Sequence, residues 1–137
     1  MDFKTWYMKR ISFDFDGCLK SNKLIQLICK LFISSGYDVY ILTSRNPLLP
    51  NIDLFEMSDR FGISRENIIM TNGSLKLDSF MKNRIDIHFD NSFDEVVAIN
   101  DMFIGNNPMK KYEDMPAILT NIDSEEIQLI NNILKDA

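Results

Sequence analysis

The sequence predicts an α/β fold built on a mostly parallel sheet. Short apolar runs alternate with helix-period segments along the 137 residues. No internal repeat, low-complexity tract or Gly/Ser linker breaks that alternation. Repeated β-α units of this kind bury parallel strands beneath helices. The length suits one compact domain, expected over residues 1–137.

Arg10–Phe15 reads as the first strand, ending in acidic residues. Asn22–Ser35 reads as the first helix, since Leu24, Ile25, Leu27, Ile28, Leu31 and Phe32 recur at helical spacing and form one apolar face. Gly36 stands where a helix end commonly turns left-handed. Val39–Leu42 is the second strand, and Pro47 and Pro50 impose a non-helical loop after it. A second helix is expected over Asp53–Phe61, closed by Gly62. Asn67–Thr71 is a third strand, followed by an Asn72-Gly73 turn. Leu75–Asn83 is a third helix and Ile85–Phe89 a fourth strand. Ser92 with Glu95 forms a capping box that starts a fourth helix. Beyond Ile99 the pattern weakens: Asp101–Pro108 reads as a loop, Ala117–Thr120 as an edge strand, and Asp123 or Ser124 as the cap of a last amphipathic helix reaching Leu134.

Fifteen Lys/Arg against twenty Asp/Glu give a net charge of −5, which argues against a broad nucleic-acid-coating surface or a polybasic membrane contact. Cys18 and Cys29 form no CxxC pair or zinc-like cluster and read as reduced thiols. The N-terminal segment lacks a signal-peptide core and no apolar stretch is long enough to cross a membrane, so a cytoplasmic protein is expected.

The chemistry concentrates in Phe13-Asp14-Phe15-Asp16-Gly17-Cys18-Leu19. An apolar strand ends in two aspartates one residue apart, then a glycine that permits a sharp turn. In an open α/β sheet, ligands bind beyond the carboxyl ends of the strands. Two such carboxylates repel unless a cation or a shared proton relieves them. That suits a division between a metal-bound nucleophile and a proton carrier. The bland alternative is an Asp-rich strand-end turn.

Phe13–Leu19 resembles the first motif of the haloacid dehalogenase-like superfamily, an apolar run followed by DxDGxL. The later motifs of that superfamily have counterparts here in the same order. Val39–Leu42 runs into Thr43-Ser44-Arg45, similar to the second motif and to the Thr/Ser-x-Arg of capless polynucleotide 3′-phosphatases. Lys76 matches the third, with Lys82 as a rival too late in its helix. Ile85–Phe89 leads to Asp90 and Asp94, similar to the spaced form of the fourth motif, with Asn91 departing from the commoner paired aspartates. The single histidine, His88, reads as a partly buried structural residue.

The resemblance implies a three-layer α/β/α sandwich with a Rossmann-like sheet and no cap domain. It implies a Mg²⁺-dependent phosphatase in which Asp14 is the nucleophile and Asp16 the acid and base. Thr43, Ser44, Arg45 and Lys76 would bind the phosphate. Mg²⁺ would be held by Asp14, the Asp16 carbonyl and Asp90, with Asn91 or Asp94 in support; Asp94 reads equally well as a charge complementing a helix start. The implied substrate is a phosphate monoester, such as a nucleotide or a nucleic-acid 3′-end. Two alternatives stand beside it: a sugar-phosphate phosphatase whose open site is covered by oligomerisation, and a non-catalytic phosphate-binding module. Oligomeric state is left open.

Overall fold

A computed structural model of the chain describes residues 9–106 and 115–120. Among these residues the fold is α/β, with five strands, all parallel, in the order β3-β2-β1-β4-β5. The strands are β1 (Arg10–Phe13), β2 (Asp38–Thr43), β3 (Ile68–Met70), β4 (Ile87–Asp90) and β5 (Ala117–Leu119). The helices are α1 (Lys23–Ser34), α2 (Ile52–Phe61), α3 (Lys76–Lys82) and α4 (Phe93–Asn106). None of the helices among the described residues is long and apolar enough to cross a membrane.

The central strands are short and largely buried: Ile11, Phe13, Ile41 and Phe89 are apolar, while Ser12 and His88 place polar groups on the other face of β1 and β4. Phe13 of β1 stacks on Phe89 of β4 at 4.9 Å between ring centroids, and Phe32 of α1 closes over both. This aromatic block belongs to a larger core that includes Ile11, Ile41 and Leu54. A second cluster, Val96, Ile99 and Ala117, joins α4 to β5. Asn100 fastens the edge strand there: its side-chain amide donates to the Ala117 carbonyl at 3.0 Å, and its oxygen accepts the Ala117 N–H at 2.9 Å.

Three local expectations change. The apolar stripe of α1 splits: Ile25 and Cys29 are buried, whereas Leu24, Leu27 and Leu31 lie exposed, because the stripe is wider than the face the sheet covers. Asp101–Asn106 continues α4 rather than forming a loop. One glycine at position 105 costs a helix only about 1 kcal/mol, too little to end one that is anchored by Val96 and Ile99. Glu95 does not close a capping box: it accepts the Lys76 backbone N–H at 2.8 Å, and the Ser92 N–H donates to Asp90 at 2.9 Å. The expected C-terminal helix lies outside the described residues.

Because every strand is parallel, all their carboxyl ends lie on one edge. Asp14 follows β1 there, Thr43 ends β2, and Asp90 ends β4. The Asp14 N–H still donates to the Phe89 carbonyl at 2.8 Å, so β1 is pinned to β4 at the point where it turns away. Phe15–Leu19 then winds tightly, with Gly17 at φ 71°. A side chain at position 17 meets two obstacles: that backbone angle, and the Asn91 side-chain amide in the path of a Cβ. Gly17→Ala is therefore expected to cost roughly 1–3 kcal/mol, measured by urea unfolding. It should also displace the Asn91 side chain.

Candidate active site

The site is built around a buried ammonium. Lys76, at the first position of α3, is 3% exposed. Its Nζ donates to Asp14 Oδ1 and to Asp90 Oδ2, both at 2.7 Å. A lysine is buried this completely only where carboxylates replace its water. Asp90, wholly buried, also accepts from His88 Nε2 at 2.8 Å and from the Ser92 N–H at 2.9 Å. Lys82, the rival lysine, is exposed in the last turn of α3.

These three charges sum to −1, and their titrations divide accordingly. Burial pushes the Asp14 carboxyl up to about 6; the Lys76 ammonium opposes that and the Asp90 carboxylate adds to it. Burial also acts against ionised Asp90, but the His88 hydrogen bond and the Lys76 ammonium outweigh it and hold that carboxyl below its usual range. Lys76 titrates above its ordinary value, because Asp14 and Asp90 together overcome its own desolvation. The residual negative charge thus falls on Asp14, the carboxylate facing the cleft.

Asn91 touches Asp14 from the other side. With its amide nitrogen turned inward it donates to Asp14 Oδ2 at 2.6 Å and to the Asp16 carbonyl at 3.2 Å. Turned the other way, the amide would bring an oxygen against two more oxygens, a grouping that only a cation relieves. No three Asp, Glu, His or Cys side chains among the described residues converge as a metal cluster. The donors that do converge are one carboxylate, one backbone carbonyl and one amide, all of the oxygen class that Mg²⁺ takes, and water completes its shell. They fit the ion, and a divalent charge would turn the net −1 of the triad positive.

Arg45 is placed differently. Its guanidinium grips Asp16 with Nε at 2.9 Å and Nη2 at 2.8 Å, and holds Asp53 in the first turn of α2 with a second pair of bonds. The Phe15 ring lies beneath it, 4.8 Å from the guanidinium carbon. Lys20 adds a contact to Asp53 at 2.9 Å. The Arg45 hydrogen bonds keep the Asp16 carboxyl below its ordinary range despite partial burial. Asp16 is thus held as a carboxylate, the form that accepts a proton.

A cleft of about 260 Å³ opens over these groups, lined by Asp14, Asp16, Ser44, Gly73, Ser74, Lys76, Asp90, Asn91, Ser92 and Glu95. The β3–α3 turn forms one wall because the Gly73 N–H donates to the Ser44 carbonyl at 2.9 Å and the Asn72 N–H to the Arg45 carbonyl at 3.1 Å.

Of the residues expected from sequence, Asp14, Asp16, Ser44, Lys76, Asp90 and Asn91 meet at this cleft. Thr43 is buried at its edge, and its hydroxyl oxygen accepts the Arg45 N–H at 3.4 Å. Ser44 is the exposed hydroxyl. Asp94 is exposed in the first turn of α4 and does not line the cleft. Ser12, Asp53 and Glu95 bond directly to residues of the cleft or their anchors and were not expected there. Asp53 and Glu95 have a sequence signal, an acid in the first turn of a helix, and that signal does not name a partner. A scan against protein-family models, a search of curated proteins and a search of solved structures each find no match to this chain.

Proposed function

We propose that the protein is a Mg²⁺-dependent phosphohydrolase of the haloacid dehalogenase-like type, with an α/β/α layering and no cap domain. The observation that carries the reading is the Lys76 ammonium, 2.7 Å from both Asp14 and Asp90, at the floor of an open cleft. An ammonium so placed keeps one carboxylate ionised and aimed while it offsets an incoming phosphate.

Asp14 attacks phosphorus in line, and the bond to the leaving oxygen breaks as the aspartyl-phosphate forms. The leaving oxygen takes the electron pair and a proton from Asp16. Water then attacks phosphorus and gives its proton back to Asp16, releasing phosphate and Asp14. Asp16 must shed the Arg45 fork to carry a proton, and a bound phosphoryl group is the natural competitor for that guanidinium. Ser44 and Lys76 bind the phosphoryl oxygens from the cleft walls, and Thr43 braces the loop that carries Arg45. Mg²⁺, held by Asp14, the Asp16 carbonyl and Asn91, would supply charge neutralisation at the phosphoryl group. Asp90, expected as a further ligand, is engaged by Lys76 and His88 at Oδ2 and by the Ser92 N–H at Oδ1.

Between Arg45 and Lys76 lie only α2, one 3-10 turn at Arg65–Asn67, β3 and short loops. An uncapped cleft of this kind admits a bulky ester, and a nucleotide or nucleic-acid 3′-phosphate suits it. A second reading has one observation in its favour. Leu48, 90% exposed, together with Leu49, Ile52, Leu75 and Phe93, lies exposed after the carboxyl ends of β2, β3 and β4, around the cleft. A neighbouring subunit would bury that rim and serve as a lid over a smaller sugar phosphate. Light scattering separates the readings: a monomer active on a 3′-phosphorylated oligonucleotide supports the first, a stable oligomer active on sugar phosphates the second.

The test of activity is turnover of a chromogenic phosphate ester, present with Mg²⁺ and lost with chelator. The ion's affinity should also depend on pH. Asp14, raised to about 6 without metal, must lose its proton to bind. The Mg²⁺-induced rise in Tm is therefore expected to be full above neutral pH and to shrink as pH falls through 6. A rise in Tm independent of pH between 5 and 8 would remove Asp14 from the ligand set.

A further inference from the structure

His88 lies outside the cleft and takes no part in the reaction above, yet both its ring nitrogens are engaged. It sits in β4 directly beside Ser12 of β1, and the Ser12 Oγ lies 2.6 Å from Nδ1. Two residues along the same strand face, Asp90 Oδ2 lies 2.8 Å from Nε2. Ser12, His88 and Asp90 are all wholly buried. A carboxylate can only accept, so Nε2 carries the hydrogen and donates to Asp90. A neutral ring with its hydrogen on Nε2 has none on Nδ1. Nδ1 is then an acceptor and the Ser12 hydroxyl donates to it. The direction of every bond follows: Ser12 to His88, His88 to Asp90, and Lys76 to the same Asp90 oxygen and to Asp14.

An apolar residue in this strand would fill the space without needing two partners. The imidazole does what an apolar residue cannot: it fixes the oxygen that Lys76 shares. Without it, Lys76 is the one side-chain donor left to Asp90 Oδ2 among the described residues, and the carboxylate can turn and draw the ammonium off Asp14. We propose that His88, tethered by Ser12, is a positioning residue that holds Asp90, and through it Lys76, in register for the attack by Asp14. Its kinetic consequence rests on the phosphohydrolase reading; its structural consequence does not.

Two measurements separate these. His88 is the single histidine, so its two-bond ¹H–¹⁵N spectrum assigns itself. The expected spectrum is a neutral ring protonated on Nε2. The Lys76 ammonium, ordered between two carboxylates, should give a slowly exchanging signal that His88→Leu loses and His88→Gln keeps, since the Gln amide can donate near the Nε2 position. For hydrolysis, His88→Leu should lower kcat by about 10–100-fold, the usual range for a residue behind a site. KM should hardly change, because His88 does not touch the ester. His88→Gln should recover most of the loss. Where His88→Leu does not fold, Ser12→Ala removes only the tether and should weaken both the Nε2–H preference and the ammonium signal. An Nδ1–H ring, an ammonium signal indifferent to these substitutions, or wild-type kcat in folded His88→Leu would overturn the proposal. A wild-type protein without any hydrolysis would count against the phosphohydrolase reading alone, because the tautomer and ammonium signals are independent of turnover.

Discussion

Asp14→Asn is expected to lower hydrolysis by a factor on the order of 10⁴ or more, while making the metal-free protein more stable at neutral pH. The activity loss follows from removing the attacking oxygen. The stability gain follows from linkage. The folded-state pKa of Asp14, about 6, lies above the ordinary 3.8, so the fold favours the protonated acid. The contribution of that proton is fully present below 3.8 and is lost as pH rises through 6. At pH 7 the ionised carboxylate is therefore a burden on the native state. Asparagine imitates the neutral acid, and the gain is at most about 3 kcal/mol, at about 1.36 kcal/mol per pKa unit. It should fade toward pH 4, where wild-type Asp14 is itself protonated. Urea unfolding at both pH values, without metal, checks the sign. Equal stability of the two proteins at pH 7 would mean that Lys76 fully neutralises Asp14.

Lys76→Met should fail in both respects. The substitution keeps length and apolar bulk but leaves Asp14 and Asp90 ionised in a buried site. Breaking a buried pair by removing one partner costs about 3–5 kcal/mol. Here two carboxylates lose the same cation, so the upper part of that range is expected. Loss of a charge aimed at the phosphoryl group costs a further factor on the order of 10²–10³ in kcat. Part of the stability should return with added Mg²⁺, which supplies positive charge to the same carboxylates, and part should return on acidification as Asp14 takes up its proton. Urea unfolding at fixed ionic strength, with and without Mg²⁺, reads the first effect, and turnover at saturating ester reads the second.

The frame was readable from sequence because periodicity and punctuation agree. The β1 run, the α1 stripe closed by Gly36, and the Asn72-Gly73 turn each declare themselves over a few residues, and the structure keeps them within two residues or so of their expected limits. The extension of α4 through Asn106 was not readable: Gly105 and Asn106 mark a turn locally, whereas the α4 packing against β5 that holds the helix is a long-range contact. The same division runs through the site. Asp14, Asp16 and Lys76 stand at strand or helix ends, positions that sequence locates. Which carboxylate Arg45 would choose, or that Glu95 would take the Lys76 N–H instead of capping its own helix, depends on distances across the sheet edge. His88 was readable as buried but not as bonded to Asp90, since a two-residue spacing on one strand face says nothing about which way a ring turns.

The most direct test of Asp14 as nucleophile is a rapid acid quench during turnover of a phosphate ester with Mg²⁺, followed by mass spectrometry of the tryptic peptide Ile11–Lys20. A phosphoryl group on Asp14 is the expected result. Steady turnover with no phosphoryl adduct in that peptide, or an adduct on Asp16 instead, would contradict it.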